Sequence, residues 1–328
     1  MTPENTPISP LISIIIPAKN GSDTIRSCLD AIFKQTLIDQ TEVIVIDSAS
    51  TDGTLEILKE YNVQVHHLNP KDFNHGETRN LGVSLAKGEF VVMTVQDATP
   101  IDEFWLETML THFNDPKVAG VCGQQIVLEN RGKNPLQWFR PQSEAQPIRY
   151  QFVNSTDFIQ LSGKEQHAFC NWDDVNAMYR KSTKLKLPFK KLMFSEDTLW
   201  AKDALTAGYA IVYDYRARVD HYHHQDFNFY FKRSYIMLYQ NYKFYNYINY
   251  PKNPFVWSAQ IFYRLLKMKE LNFSEKIRWF FYNLNLVAAT WKAALIFGYT
   301  AKFKGLSGVE ASQKKHVGFP PQGVQAKS

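Results

Sequence analysis

The chain has 328 residues, of which 45% are hydrophobic and 21% charged, proportions that exclude collagen-like, wholly disordered and polytopic membrane chains. Its net charge of +5 hides a division: residues 228–328 carry 15 Lys and Arg against three acids, whereas residues 1–227 carry 22 basic and 29 acidic side chains. A basic half rich in aromatics suits an anionic partner, a membrane surface or a nucleic acid.

Residues 1–9 are polar and proline-bearing and read as a disordered start without the basic and long apolar stretches of a secretory signal. Ile12–Ile16 is an unbroken apolar run, as expected of a strand buried on both faces, and Pro17 ends it. Ser22 or Asp23 can cap a helix over 24–35. The unit then recurs. Residues 42–46 predict a second buried strand, and Thr51 or Asp52 can cap a helix through Tyr61. A short strand at 63–67, a helix at 77–86, a strand at 90–94 and a helix at 102–113 follow. This alternation predicts parallel βαβ units in a doubly wound α/β sheet over residues 10–227.

From about 120 to 220 the pattern loosens, with strands at 118–122 and 211–213 and a helix over 197–207 ended by Gly208. Residues 228–309 read as a helical, aromatic and basic extension, and 310–328 as a disordered tail. Residues 279–300 are long enough to cross a bilayer, but Asn283, Asn285 and Lys292 interrupt them, so lying in the interface is expected over spanning. A helical appendage packed on the domain or on a second copy explains the same composition. Cys28, Cys122 and Cys170 are widely spaced and odd in number, which predicts free thiols and a reducing, cytoplasmic compartment.

Ligands of open α/β sheets bind beyond the carboxyl ends of the strands. There the sequence places Pro17, Lys19 and Asn20; then Asp47, Ser50 and Asp52; then Gln96 and Asp97. Asp47 with its serines can hold a nucleoside or simply cap the next helix. Arg79 and Asn80, near a helix start, suit phosphate or a solvated surface. Asp97 emerges alone from the strand, Glu196 and Asp197 open a helix, and His221 and His223 fall on one side of a strand. No GxGxxG or GxxxxGK[ST] cradle is present.

Taken together, ISIIIPAKNGSDTIRSCLDAIFKQT, EVIVIDSASTDGT, FNHGETRNLGVSLAKGEFVVMTVQDATP and FSEDTLWAKDALTAGY with VDHYHH resemble the family 2 glycosyltransferases, and within them the bacterial rhamnosyltransferases of O-antigen and surface polysaccharide synthesis. The resemblance covers most of residues 11–224. It implies a GT-A fold, inverting transfer, a nucleotide-sugar donor (dTDP- or UDP-linked, with dTDP-L-rhamnose expected) and a divalent metal, Mg²⁺ or Mn²⁺. The basic aromatic extension adds the expectation of a lipid-linked saccharide acceptor at the inner, anionic membrane face, and nothing in residues 11–224 asks for nucleic acid. Pro17, Lys19, Asn20, Asp47, Ser50, Asp52, Arg79, Asn80, Gln96 and Asp97 fall on donor-binding positions. Asp197 falls on the general base. Asn171, Trp172, Asp173, Asn176 and Glu196 are candidates for the acceptor side. Asp97 matches the last carboxylate of the family's DxD metal motif, but Val95 stands where the first belongs, so the metal would rest on Asp97, donor phosphates, water and His221 or His223. A non-catalytic nucleotide-sugar-binding scaffold is the alternative the same departure allows.

Overall fold

The computed structural model describes residues 9–140 and 146–318. The expected disordered start lies outside them except for its last residue, as does the tail from 319 onward. The chain forms β1 (Ile12–Ala18), α1 (Ile25–Ile32), β2 (Thr41–Asp47), α2 (Thr54–Leu58), β3 (Gln64–His67), α3 (His75–Leu85), β4 (Phe90–Thr94), β5 (Thr99–Pro100) and α4 (Trp105–Leu110). Then come β6 (Val118–Ile126), β7 (Ile148–Tyr150), α5 (Ser155–Ile159), α6 (Gly163–Phe169), β8 (Asn176–Arg180), α7 (Lys181–Lys186), α8 (Glu196–Thr206) and β9 (Ala210–Asp220). The extension is α9 (Phe227–Tyr245), α10 (Pro254–Lys267) and α11 (Phe273–His316).

One nine-stranded sheet runs β3-β2-β1-β4-β8-β6-β9-β5, with β7 also on β9. The apolar runs are continuous because the sheet is covered on both faces. Ile14, Ile16, Val43, Val45 and Val92 enter one core cluster, while the alternate residues Ile15, Ile44, Ile46, Val91 and Met93 enter the other. Strands β3, β2, β1 and β4 are parallel. Beyond them β8 enters antiparallel, pairing Thr94 with Asn176, and leads to β6 and β9, which are parallel to each other. The segment entering β8 therefore sits at the same rim as the ends of β1, β2, β4, β6 and β9.

Helix ends differ from the sequence expectation where local turns win. The helix expected through Tyr61 stops at Leu58, and Gly53, at φ +94°, occupies its N-cap. Asp52 instead accepts from the Ser22 and Thr54 amides, joining two loops. α1 begins after Thr24 without a side-chain cap.

In the extension, α9 packs Phe231, Tyr235 and Ile236 against Ala289, Ala293 and Phe297 of α11. The small residues let the helices approach closely. Asn272 and Glu275 form a capping box that starts α11, and a kink at Gly305 (φ +60°) redirects it. Residues 310–316, expected to be frayed, continue this helix: Glu310 holds Lys243 at 3.1 Å and Gln313 is buried.

Candidate functional site

Hydrogen bonds between loops build the rim. Lys19 N donates to Gln96 Oε1 (2.9 Å) and Gln96 Nε2 donates back to Lys19 O (3.1 Å), joining the loops after β1 and β4. Asn20 N donates to Ser50 Oγ (2.8 Å) and Thr51 N to Asn20 Oδ1 (2.9 Å), joining the loops after β1 and β2. Ser50 in turn bonds Asp47 through both its hydroxyl and its amide. Asn20 and Ala49 take the left-handed conformation that these close approaches require. Asp47 is fully buried as the anchor of this cluster; Lys19 is exposed and Pro17 half-buried. Burial works against the Asp52 charge, but the donors of Thr54 and Ser22 prevail and bring its pKa to about 2. It is a fixed anion at neutral pH.

Beyond the end of β4, Asp97 meets the end of β9. The pairing of Thr99 with Asp220 brings its two carboxylate oxygens to His221 Nε2 (3.5 Å) and His223 Nε2 (3.4 Å). One ligand atom from each of the three residues lies within 4.8 Å of the others. His221 Nδ1 is 2.6 Å from Gln125 Oε1, a carbonyl that requires the proton on Nδ1, so Nε2 donates to Asp97 in the imidazolium and offers its lone pair to a cation in the neutral ring. Such converging acceptors fit a divalent cation. One carboxylate and two imidazoles suit Mn²⁺ better than Mg²⁺, which prefers an all-oxygen shell. Burial disfavours the Asp97 charge, but the neighbouring histidines outweigh it and hold the carboxyl below its ordinary value. Burial, reinforced by His221, lowers the His223 pKa. Val95 contributes no ligand; it packs against the apolar cluster, and its carbonyl accepts from Cys28 Sγ at 3.6 Å.

At the start of α8, Ser195 adopts φ +65° and presents two acids with different fates. Glu196 is buried and receives Arg79 Nη1 at 2.9 Å. Arg79 Nε lies 3.6 Å from the buried Asp174, which also accepts from Tyr179 OH, itself the acceptor of Trp172 Nε1 (2.6 Å). Burial and the Glu196 charge push Asp174 up to about 6 despite Arg79. Asp197 is half-buried, and its Oδ1 accepts from Thr198 N at 2.7 Å. Burial, followed by the charges of Glu196, Asp174 and Asp173, holds it well above the usual carboxylate range. A carboxylate so placed has the proton affinity that a general base needs.

Several residues assigned to the site from sequence are engaged in contacts within the protein. Arg79, expected to line the donor pocket, is 5% exposed and occupied by Glu196 and Asp174. Asn80 uses both ends of its amide on the Phe189 backbone, at 2.8 and 3.0 Å, fastening the loop before α8. Trp172 packs among Tyr179, Trp200 and Tyr213, and Asn176 is fully buried, accepting from Trp105 Nε1 (2.7 Å) and donating to Ala217 O (2.9 Å). Both are buried, Asn176 at the start of β8 and Trp172 in the segment that leads into it. Asn171 is exposed, and Asp173 is half-buried against Gln125 Nε2. Gln125 and Asp174 went unread in the sequence; Gln125 stands near the end of β6, where the same strand-end rule could have found it.

The sequence profile of Glycosyl transferase family 2 matches residues 13–183. The O-antigen chain rhamnosyltransferase RfbN of Salmonella typhimurium is 32% identical over 219 residues, which are 65% of this chain and 66% of that one. WbaN of Salmonella anatum, another O-antigen chain rhamnosyltransferase, is 33% identical over 233 residues, 68% of this chain and 70% of its own. Among solved structures, Staphylococcus aureus TarS residues 1–349 align with a TM-score of 0.52 at 17% identity, over 93% of this chain and 80% of that chain. The mannosyltransferase PcManGT of Pyrobaculum calidifontis, in complex with GDP-Man and Mn²⁺, aligns at 0.53 and 16%, over 94% and 79%. These structures share the GT-A fold. With a profile match across more than half its length and a relative one-third identical, the chain belongs to glycosyl transferase family 2 and is a glycosyltransferase.

Proposed function

We propose that the chain transfers L-rhamnose, with inversion, from a dTDP- or UDP-linked donor to a lipid-linked saccharide in the building of a bacterial O-antigen or surface polysaccharide. The observation that carries the reading is the shared rim: the bonded loops around Asp47 and Ser50, the Asp97–His221–His223 cluster and the raised Asp197 all stand where the strands end. The sugar is suggested by the names of the Salmonella relatives. In the reaction, Asp197 takes the proton of an acceptor hydroxyl as its oxygen bonds the anomeric carbon, while the bond from that carbon to the diphosphate breaks on the opposite face. A divalent cation held by Asp97, His221 and His223 would neutralise charge on the departing diphosphate. The loops around Asp47, Ser50 and Asp52 orient the nucleoside. Such an acceptor belongs to the cytoplasmic face of the cell membrane, with the chain peripherally bound and no nucleic acid involved.

The test is transfer by the purified chain from a panel of nucleotide sugars, with and without Mn²⁺, followed by NMR of the product's anomeric configuration. Transfer with inversion from dTDP-rhamnose supports the reading, and a retained configuration would sink it. The Val95 substitution favours a second reading, a non-catalytic nucleotide-sugar-binding scaffold. That reading expects a donor to raise thermal stability with no turnover under any metal.

A further inference from the structure

Resting on the reading above of a lipid-linked acceptor, we propose that the outer faces of α10 and the first half of α11 form one surface that lies on an anionic bilayer beside the site. In α10, Phe255, Phe262 and Leu266 recur at helical spacing and face outward, at 84%, 50% and 48% exposure. In α11, Phe273, Ile277 and Phe281 do the same at intervals of four, at 73%, 43% and 60%. The Phe262 ring meets Phe280 at 5.4 Å, and Phe280 meets Phe281 at 5.7 Å, so the two strips form a single patch. Isolated apolar side chains are normal on a surface, but contiguous aromatic strips mark an interaction site.

Charge selects the occupant. Lys267 and Lys269 are exposed at the end of α10, and Arg264 and Arg278 are exposed on the two helices while donating to Leu136 O (3.2 Å) and Arg131 O (3.1 Å). The acids of this stretch, Glu270 and Glu275, already face Arg140 and Arg131. A second copy of this face would bring like charges together, whereas an anionic leaflet attracts them. Helix α11 is long and apolar enough to cross a membrane. Its inner face, however, is committed to protein: Trp279, Leu286 and Val287 are buried, and Asn283 exchanges hydrogen bonds with Asn134 at 2.9 and 3.2 Å. A helix with one face bonded to protein and the other aromatic lies in the interface. Further along, a hollow of about 540 Å³ beside the Gly305 kink is lined by Leu295 and Tyr299 together with Lys304 and Lys315, the same pairing of apolar and basic groups.

The surface also reaches the site. Tyr282, next to Phe281, bonds Gln225 through both its amide (3.1 Å) and its carbonyl (2.9 Å), and its ring lies 4.8 Å from that of His224. One residue earlier stands His223, beside Asp97. A saccharide carried by a lipid in that leaflet would meet the rim where the chemistry is proposed.

The test is co-sedimentation of the full chain with phosphatidylcholine vesicles, with and without phosphatidylglycerol, comparing the wild type with the double variant Phe262→Ser, Phe281→Ser. Thermal stabilisation by the nucleotide-sugar panel is measured on both proteins. The expected result is binding at least about tenfold stronger to the anionic vesicles, weakened by salt and lost in the variant, with stabilisation by nucleotide sugar unchanged. Equal vesicle binding by the two proteins overturns the assignment. So does a wild type that ignores vesicles but forms a dimer that the variant cannot, because the surface then belongs to a second copy. Vesicle binding that the variant loses, with no nucleotide sugar stabilising either protein, upholds the surface and counts against the proposed nucleotide-sugar donor instead.

Discussion

Arg79 separates the arrangement in the structure from the one the sequence suggested, and Arg79→Met tests it. Methionine keeps much of the aliphatic stem and removes the guanidinium, leaving Glu196 (5% exposed) and Asp174 (2% exposed) without their bonded cation and with only the buried Lys184 nearby. Removing one partner of a buried ion pair costs about 3–5 kcal/mol, because the remaining charge stays desolvated. At roughly 2–4 °C per kcal/mol for a domain of this size, melting should fall by about 10 °C at pH 8. The loss should also depend on pH, with a definite sign. Asp174 titrates at about 6 in the fold against 3.8 ordinarily, so its protonated form is favoured by folding. The stability associated with that proton is complete below pH 4 and lost as pH rises through the folded value. Without Arg79 the folded pKa moves higher still, so the variant should recover stability between pH 8 and pH 5 more steeply than the wild type. Thermal melts followed by circular dichroism across that range decide the matter. An Arg79→Met protein that melts with the wild type at pH 8 while its donor KM rises would refute the buried clamp and return Arg79 to the donor pocket.

The remaining expectations concern the site directly. Asp197→Asn should lower turnover by about 10²–10⁴-fold while nucleotide-sugar binding, read by thermal shift, persists. In the wild type, kcat/KM should rise with pH through a value above the ordinary carboxylate range, since the base must be ionised, and that acid limb should be absent from the residual activity of Asp197→Asn; a limb common to both proteins would remove Asp197 from its role. The pair His221→Ala, His223→Ala should abolish stabilisation by Mn²⁺ while leaving the melting temperature without metal within a few degrees, and undiminished stabilisation would place the cation elsewhere. Asn176→Ala should lower stability by about 3 kcal/mol, measured by urea unfolding, because it strands the Trp105 indole N–H and the Ala217 carbonyl in the core; a changed acceptor KM at unchanged stability would contradict that placement.

The sequence disclosed what is local. Strands β1, β2 and β4 were legible because a sheet covered on both faces demands unbroken apolar runs, and the loops after them because turns need small and polar residues. The sequence could not disclose partners joined across long separations. Arg79 and Glu196 are 117 residues apart, and Trp105 and Asn176 are 71 apart; nothing in either neighbourhood marks the other. Residues 171–176 looked like a polar cluster ahead of the acidic pair. They are the irregular segment and turn that lead into the antiparallel strand β8, in which Trp172, Asp174 and Asn176 are buried while Asn171, Asp173 and Val175 are more accessible. Residues 310–316 read as tail because their polar side chains hide a helix held in place from outside, by Lys243 and Tyr239 of α9.

The single carboxylate at the end of β4 and the histidines after β9 are two sides of one geometric fact. With valine at position 95, the loop after β4 has one carboxylate to offer a cation, and an isolated carboxylate is a weak ligand set. The short strand β5 corrects this by pairing Thr99 with Asp220, which fixes His221 and His223 opposite Asp97. Gln125, arriving on β6, sets the tautomer that leaves His221 Nε2 free to coordinate, and the same Gln125 side chain contacts Asp173 on the way into β8. Asp173 in turn contributes to the field that raises Asp197. The ligand cluster and the base are therefore joined through a chain of contacts across β9, β6 and the entry to β8. A Gln125→Leu substitution that weakens stabilisation by Mn²⁺ should also shift the acid limb of transfer; a change in one without the other would show that the two halves of the site act independently.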